Sequence, residues 1–231
     1  MLRRSLVRAT TKPKGYTFWR QSTMVDMSKV RKTYLLTERP FPIAEVARRM
    51  VKVKRRYETT QEYQEQTLLR GEYKFFSGKP CDLRGASIPD MIAVLDCAAF
   101  FGFWDVSLTD RIVDELGLWL TRLSAEEMVH LLVCLPGIRH GNSRLYEEIA
   151  RRTAPRVEQD EVLFDEAIQI LRAAPPECPE ALTVNLIRFF ESKVSLLEES
   201  PDDAATVLEV LSAVPLEISG QFMDMSRVLK R

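Results

Sequence analysis

Apolar residues recur at helical spacing from residue 42 onward, and the first segment of this kind extends to about Leu69. Pro42 suits the first position of a helix, where its missing N–H leaves no hydrogen bond unmade. At about 100° per residue, one stripe of the segment carries Ile43, Val46, Met50, Val53, Tyr57 and Leu68. The pattern predicts one long amphipathic helix, ending before a break rich in Gly and Pro near residue 80.

Beyond residue 80, two segments repeat each other at an offset of 37 positions. The matched pairs include Ser87 and Ser124, Met91 and Met128, Leu95 and Leu132, Cys97 and Cys134, Leu108 and Leu145, and Ile112 and Ile149. An acid follows each serine by three residues, Asp90 in one copy and Glu127 in the other, which is a signature of a helix start. A repeat of this length is typical of stacked helix pairs.

Two looser copies of the unit follow. The third has a helix that begins near Phe164 and a partner over residues 179–190, and the fourth begins at Pro201. A last helix is predicted to contain Ile218, Phe222 and Leu229. Because a single hairpin cannot bury its apolar face alone, such units stack into a continuous core.

The predicted fold class is therefore all-α. The pattern indicates a short solenoid of about four helical hairpins over residues 81–231. Before it come a transit-peptide-like segment and extended basic arm over residues 1–40, and the long amphipathic helix with its linker over residues 41–80.

The balance of basic and acidic residues changes sign near residue 80, where the amphipathic segment ends and the repeats begin. Residues 1–80 contain 19 basic and 7 acidic side chains, a balance of +12. Residues 81–231 contain 14 basic and 26 acidic side chains, so the whole chain is neutral. A segment of such positive charge attracts polyanions, although the two parts could also neutralise each other within one fold.

The amphipathic helix carries a dense cationic face, which is the candidate binding site. Its members are Arg48, Arg49, Lys52, Arg55 and Arg56, within an arc of about 120° opposite the apolar stripe. Cations placed in this way bind phosphates with an affinity that depends on salt and not on base sequence. The alternatives are a solvated helix face and a helix lying on a membrane surface.

The N-terminus has the composition of a mitochondrial transit peptide. No acid precedes Asp26, and a helix over residues 2–9 would place Arg3, Arg4 and Arg8 opposite the apolar residues. This pattern predicts that the protein is located in the mitochondrial matrix. The alternative is a basic tail that binds nucleic acid in the cytosol. The arm's aromatic residues, Tyr16, Phe18, Trp19 and Tyr34, suit contacts with bases or with pockets on a partner protein.

The sequence offers no catalytic, cofactor or metal site, so we expect a protein that is not an enzyme. The only histidines, His130 and His140, suit structural roles, and Cys97 and Cys134 suit the core. Trp104 and Trp119 are expected to fill the hairpin core, and the alternative is that either anchors an interface. No apolar run approaches the roughly 20 residues of a transmembrane helix.

The repeat containing residues 123–132, Leu-Ser-Ala-Glu-Glu-Met-Val-His-Leu-Leu, and the second helix at residues 144–149 carry a family resemblance. They resemble the repeats of FAST-kinase-domain and octotricopeptide proteins, which are organellar RNA-associated families. Similar repeats occur in accessory proteins of divergent mitochondrial ribosomes. The repeats here carry a balance of −12, unlike the basic concave face of RNA-reading repeats, which favours protein contacts for the repeats and RNA contacts for the basic region.

Together these features predict a mitochondrial RNA-associated scaffold without catalytic activity, as a ribosomal or ribosome-assembly protein. The basic N-terminal region would bind RNA, expected to be ribosomal RNA, and the repeats would bind other proteins of a large assembly. The alternative is an accessory structural subunit of a mitochondrial membrane enzyme complex, with the basic arm on acidic proteins or anionic lipid.

Overall fold

The computed structural model describes residues 40–175, 178–213 and 222. This part of the chain contains ten α-helices, one short 3-10 helix and two strands of two residues each. The strands are β1 (Phe41–Pro42) and β2 (Cys81–Asp82), and the 3-10 helix is Leu120–Arg122. The helices are α1 (Ile43–Thr59), α2 (Tyr63–Ser77), α3 (Ile88–Phe101), α4 (Val106–Leu118), α5 (Ala125–Gly137), α6 (Arg144–Glu158), α7 (Phe164–Ala173), α8 (Glu180–Glu191), α9 (Val194–Glu199) and α10 (Pro201–Ala213). The all-α prediction is confirmed.

The predicted long amphipathic helix is wrong, because the segment forms two helices that pack on each other. The chain leaves helical geometry at Thr60, whose φ and ψ are −92° and 137°. Hydroxyl groups stabilise this turn: Thr59 Oγ1 donates to the carbonyl of Arg55 at 3.1 Å, and Thr60 Oγ1 donates to Glu65 Oε2 at 2.7 Å. Leu68, predicted on the stripe of α1, lies half-buried on α2 instead.

The helices pack in alternating order along the chain. Helix α1 packs on α3, α3 on α5, α5 on α7 and α7 on α10, while α4 packs on α6 and α6 on α8. Neighbouring first helices therefore contact one another, and so do neighbouring second helices. The four-hairpin solenoid itself stays a prediction.

Local signals place the starts and ends of the repeat helices as predicted. The Ser87 hydroxyl accepts a hydrogen bond from the Asp90 N–H at 3.2 Å. In the second copy, Ser124 and Glu127 form a full capping box, with distances of 3.2 and 2.8 Å. Helix α3 ends at Gly102, where a φ of 63° favours glycine.

The side chains at equivalent repeat positions form the core. The residues without exposed surface include Met91, Leu95, Cys97, Ile112, Leu131, Leu132 and Ile149. Trp104 and Trp119 are half-buried, so each is covered in part and keeps some exposed surface. The helix predicted around Ile218 and Leu229 and the arm before Pro40 lie outside the described residues, whereas Phe222 is described and buried.

The described residues from Phe41 onward belong to one compact unit. Strands β1 and β2 pair in parallel, Phe41 with Cys81 and Pro42 with Asp82. In addition, the Phe41 N–H donates to the Pro80 carbonyl at 2.9 Å. Backbone pairing therefore joins the residues before α1 to those after α2, and α1 packs on α3 of the later helices.

Candidate nucleic-acid interface

Helix α1 separates an apolar face from a cationic face. Its buried residues are Ile43, Val46, Ala47, Met50 and Val53, which confirms the apolar stripe over its first three turns. The contacts of α1 with α2 and α3 cover this side of the helix. Burial of the stripe fixes the rotation of the helix about its axis, and so it directs the opposite side chains to solvent.

Three of the predicted cations, Arg48, Lys52 and Arg55, are exposed and lie on one row of the helix. We call them the cationic stripe. At 1.5 Å of rise per residue the stripe extends about 10 Å along α1, within an arc of about 60°. Within the part of the chain that the structure describes, none of the three makes an ion pair or a side-chain hydrogen bond.

The other two predicted cations are paired with carboxylates of the same helical hairpin. Arg49 Nη2 lies 3.3 Å from Glu45 Oε1, and Arg56 Nη2 lies 3.1 Å from Glu65 Oε1. The Thr60 hydroxyl, followed by Arg56, lowers the pKa of the Glu65 carboxyl below its ordinary value. Both arginine side chains remain more than two-fifths exposed, at 42% and 44%, so these pairs are weak and the cations stay accessible.

The cationic stripe borders an open groove between α1 and α3, with a volume of about 470 Å³. Small apolar side chains line it, Ala47 and Val51 from α1 and Ala93 from α3. Asp90 is the one carboxylate along the described lining, and it accepts a hydrogen bond from the Ser87 hydroxyl at 2.6 Å. The groove thus combines a cationic edge, a floor of small apolar side chains and one carboxylate, so the cations outnumber the carboxylate that would oppose a phosphate chain.

The structure brings all five predicted cations to one side of α1, with Arg48, Lys52, Arg55 and Arg56 along the groove and Arg49 beside Glu45. The sequence did not identify the wall of the groove formed by α3. That wall comes from a contact between residues about 40 positions apart in the chain, which helical periodicity does not encode.

Lys54 belongs to α1 but lies on another side of it. Its ammonium group lies 2.6 Å from Asp96 Oδ2 of α3. This ion pair joins two helices and is separate from the groove.

The histidines and cysteines that the sequence offers as candidates for chemistry differ in exposure and in contacts. His130 is exposed on α5, and His140 Nε2 lies 3.2 Å from Asp110 Oδ1. Burial raises the pKa of the Cys81 thiol to about 11 and that of the Cys97 thiol to about 12, which disfavours their reactive thiolate forms. Among residues 40–175 and 178–213, no three His, Cys, Asp or Glu side chains form a group that could hold a metal ion.

None of the helices in the described ranges combines the length and the apolar character that crossing a bilayer requires. In comparisons with known proteins, the chain matches no family model, no curated protein and no solved structure.

Proposed function

We propose that this protein is a non-catalytic RNA-associated scaffold of the mitochondrial matrix, a ribosomal or ribosome-assembly protein that binds ribosomal RNA through α1. The single observation that carries the proposal is the cationic stripe, whose three exposed cations have no ion-pair partner among the described residues. Arg49 and Arg56 add to the same side of the helix.

Phosphates are the ligands that best explain this arrangement. Unpaired cations on one rigid helix repel one another, and a polyanion relieves that repulsion while it releases its own counterions. Because α1 is held by its buried face, the helix backbone that carries the three charges needs no further ordering on binding, and only the side chains lose conformational freedom. Arg48, Lys52 and Arg55 are exposed, and none forms an ion pair with a described acidic residue of the later helices, although Asp90 lines the same groove.

The excess of acidic residues after position 80 supports a different role for the later helices. With 14 basic and 26 acidic side chains, residues 81–231 would repel a nucleic acid and suit contacts with basic proteins, which abound in ribosomes. The transit-peptide-like composition of the first residues and the resemblance of the repeats to organellar RNA-associated proteins support the mitochondrial assignment.

Salt titration of RNA binding tests the proposed role of the stripe. We expect full-length protein to bind RNA with an affinity that falls steeply with salt, and the triple variant R48Q/K52Q/R55Q to bind more weakly. Loss of three phosphate contacts reduces the slope of log K against log salt by about 2. The measurement is fluorescence anisotropy with labelled RNA at several salt concentrations.

A matched control removes three other exposed arginines, R84Q/R144Q/R188Q, and changes the net charge by the same amount. This control should leave the slope nearly unchanged, because its residues lie outside α1. Equal slopes for wild type and the α1 variant would contradict the proposed site.

Co-sedimentation separates the proposal from the membrane-complex alternative. Nuclease treatment of a mitochondrial lysate should release the protein from its particle if RNA holds it there. Retention on membranes after nuclease treatment would instead favour the accessory subunit of a membrane complex.

A further inference from the structure

A second surface combines exposed aromatic rings with cations, at the ends of α1 and α3. Phe100 is 41% exposed and Phe103 is 44% exposed, which is unusual for side chains of this size. Cations lie close to both rings: Lys54 Nζ is 5.0 Å from the centroid of Phe100, and Lys74 Nζ is 4.9 Å from that of Phe103. We call Phe100 and Phe103, with Tyr57, Arg70 and Lys74, the aromatic patch.

Buried contacts hold the patch rigidly. The Tyr73 hydroxyl donates to the carbonyl of Phe103 at 2.6 Å, and the Tyr73 ring stacks on Phe101 at 4.3 Å between centroids. The rings of Tyr57 and Phe100 are nearly perpendicular, with 5.7 Å between centroids. The exposed rings are therefore presented on a preorganised base and lose little conformational freedom when a ligand stacks on them.

The charges around the patch favour an anionic ligand. Arg70 and Lys74 are exposed, one turn apart on α2, and neither has an ion-pair partner in the described ranges. Arg70 Nε donates to the Tyr57 hydroxyl at 3.1 Å, which holds the guanidinium beside the ring. Lys54 is neutralised by Asp96, and the exposed Glu58 next to Tyr57 is the carboxylate that opposes an anion at the edge.

We propose that the aromatic patch binds unpaired RNA bases, with Phe100 and Phe103 stacking on bases and Arg70 and Lys74 contacting the adjoining phosphates. Exposed aromatic rings interleaved with cations are the arrangement by which proteins bind single strands, because every base presents a flat face to stack on. Bases inside a duplex are already stacked and do not expose these faces. The inference rests on the proposed function and adds the class of RNA that the protein prefers.

The patch and the cationic stripe lie on different sides of α1. Tyr57 projects roughly opposite the row of Arg48, Lys52 and Arg55 at about 100° per residue. Charge removal at one surface therefore leaves the contacts of the other intact, and the two sites can be tested separately.

The test compares an unpaired RNA with the same sequence annealed to its complement, using full-length protein. Wild type should bind the unpaired RNA more tightly. The F100A/F103A variant should lose affinity for unpaired RNA by about tenfold for each ring that stacks, with little loss for the duplex. Its salt slope should stay close to that of wild type, because the number of phosphate contacts does not change.

Two further variants keep the test independent of folding. F100L/F103L retains apolar bulk without an aromatic face, and it should show most of the loss for unpaired RNA while its helical circular dichroism matches wild type. L118A/L196A removes exposed apolar side chains elsewhere, at 78% and 44% exposure, and should bind as wild type does.

The outcomes distinguish this inference from the proposed function. If R48Q/K52Q/R55Q lowers the salt slope while both phenylalanine variants bind unpaired RNA as wild type does, the aromatic patch is not a base-binding site and the stripe remains one. If wild type binds neither RNA, both proposals fail. Equal loss of unpaired and duplex binding in F100L/F103L would also overturn base stacking.

Discussion

At the residue scale, burial controls the chemistry of the cysteines. Cys81, Cys97 and Cys134 are buried, and burial raises the pKa of each thiol, to about 11 for Cys81 and about 12 for Cys97. Cys178 is only partly covered, and its sulfur accepts a hydrogen bond from the Tyr146 hydroxyl at 3.6 Å. Three of the four thiols are therefore shielded from solvent, and Cys178 is the more accessible one.

We expect a thiol reagent at pH 8 to modify folded protein slowly at Cys81, Cys97 and Cys134. Both the thiolate form and access to the reagent are suppressed at these positions. Cys178 serves as the internal control and should react first. Mass spectrometry of peptides after timed labelling gives the order, and labelling in urea should make all four react quickly. Rapid labelling of Cys97 or Cys134 in folded protein would show that the core is open.

Single residues also show how far helical periodicity in the sequence predicts the burial of a side chain. Equivalent positions in the repeat placed Cys97 and Cys134 in the core, because burial follows the helical stripe. Trp104 and Trp119, expected in the core or at an interface, lie just outside the ends of helices and are half-buried. The period identifies a face of a helix, and tertiary contacts decide how deeply each side chain is buried.

At the element scale, two glycines with similarly open surroundings differ in backbone conformation. Gly102 ends α3 with a φ of 63°, whereas Gly117 lies within α4. An added Cβ would meet no atom within 4 Å at either position. The difference between them is therefore one of backbone conformation alone.

Alanine substitutions at these glycines should change stability in opposite directions. G102A should lower the free energy of unfolding by about 1 kcal/mol, because alanine is strained at positive φ. G117A should raise it by up to about 0.5 kcal/mol, because alanine favours helix and loses less entropy on folding. Urea denaturation followed by circular dichroism measures both. A stabilising effect of G102A would contradict the left-handed cap.

Helix boundaries were predictable where one residue type dictates the geometry. Ser87 and Ser124 begin helices because their hydroxyls accept the free N–H groups of the first turn. The end of α1 was missed because neither Gly nor Pro marks it. Thr59 and Thr60 form it through hydrogen bonds to backbone and to Glu65, and such bonds depend on the position of α2.

At the scale of the whole molecule, packing predicts an order of local stability. Helix α3 lies between α1 and α5 and buries six side chains, whereas α9 has six residues and buries one, Leu197. Local unfolding is easiest where few buried contacts must be broken.

Hydrogen exchange should follow this order. Amides of α3 and α5 should exchange most slowly, and those of α9 should exchange fastest among the described helices. Exchange followed by mass spectrometry of peptides resolves these segments. Protection of α9 equal to that of α3 would require a contact for α9 beyond those of the described residues.

The all-α class and the repeat could be predicted from the sequence because both are recorded in periodicity. The separation of charge was also visible by counting, but the groove was not. It needs α1 and α3 side by side, and their contact joins residues distant in the chain. The same holds for the aromatic patch, in which Tyr57 and Phe100 meet only after folding.

The short parallel pairing of β1 with β2 affects how firmly the α1–α2 hairpin is attached to the rest of the protein. Phe41 is hydrogen-bonded to Pro80 and paired with Cys81, so the residue segments just before α1 and just after α2 are held together. A proteolytic nick near Gly78 would leave the hairpin attached at its base through these hydrogen bonds and the packing of α1. If residue 41 were pulled away from the helices that follow β2, the force would act along the two parallel strands. Their hydrogen bonds would then resist the force before α1, the helix that bears the cations, began to unfold.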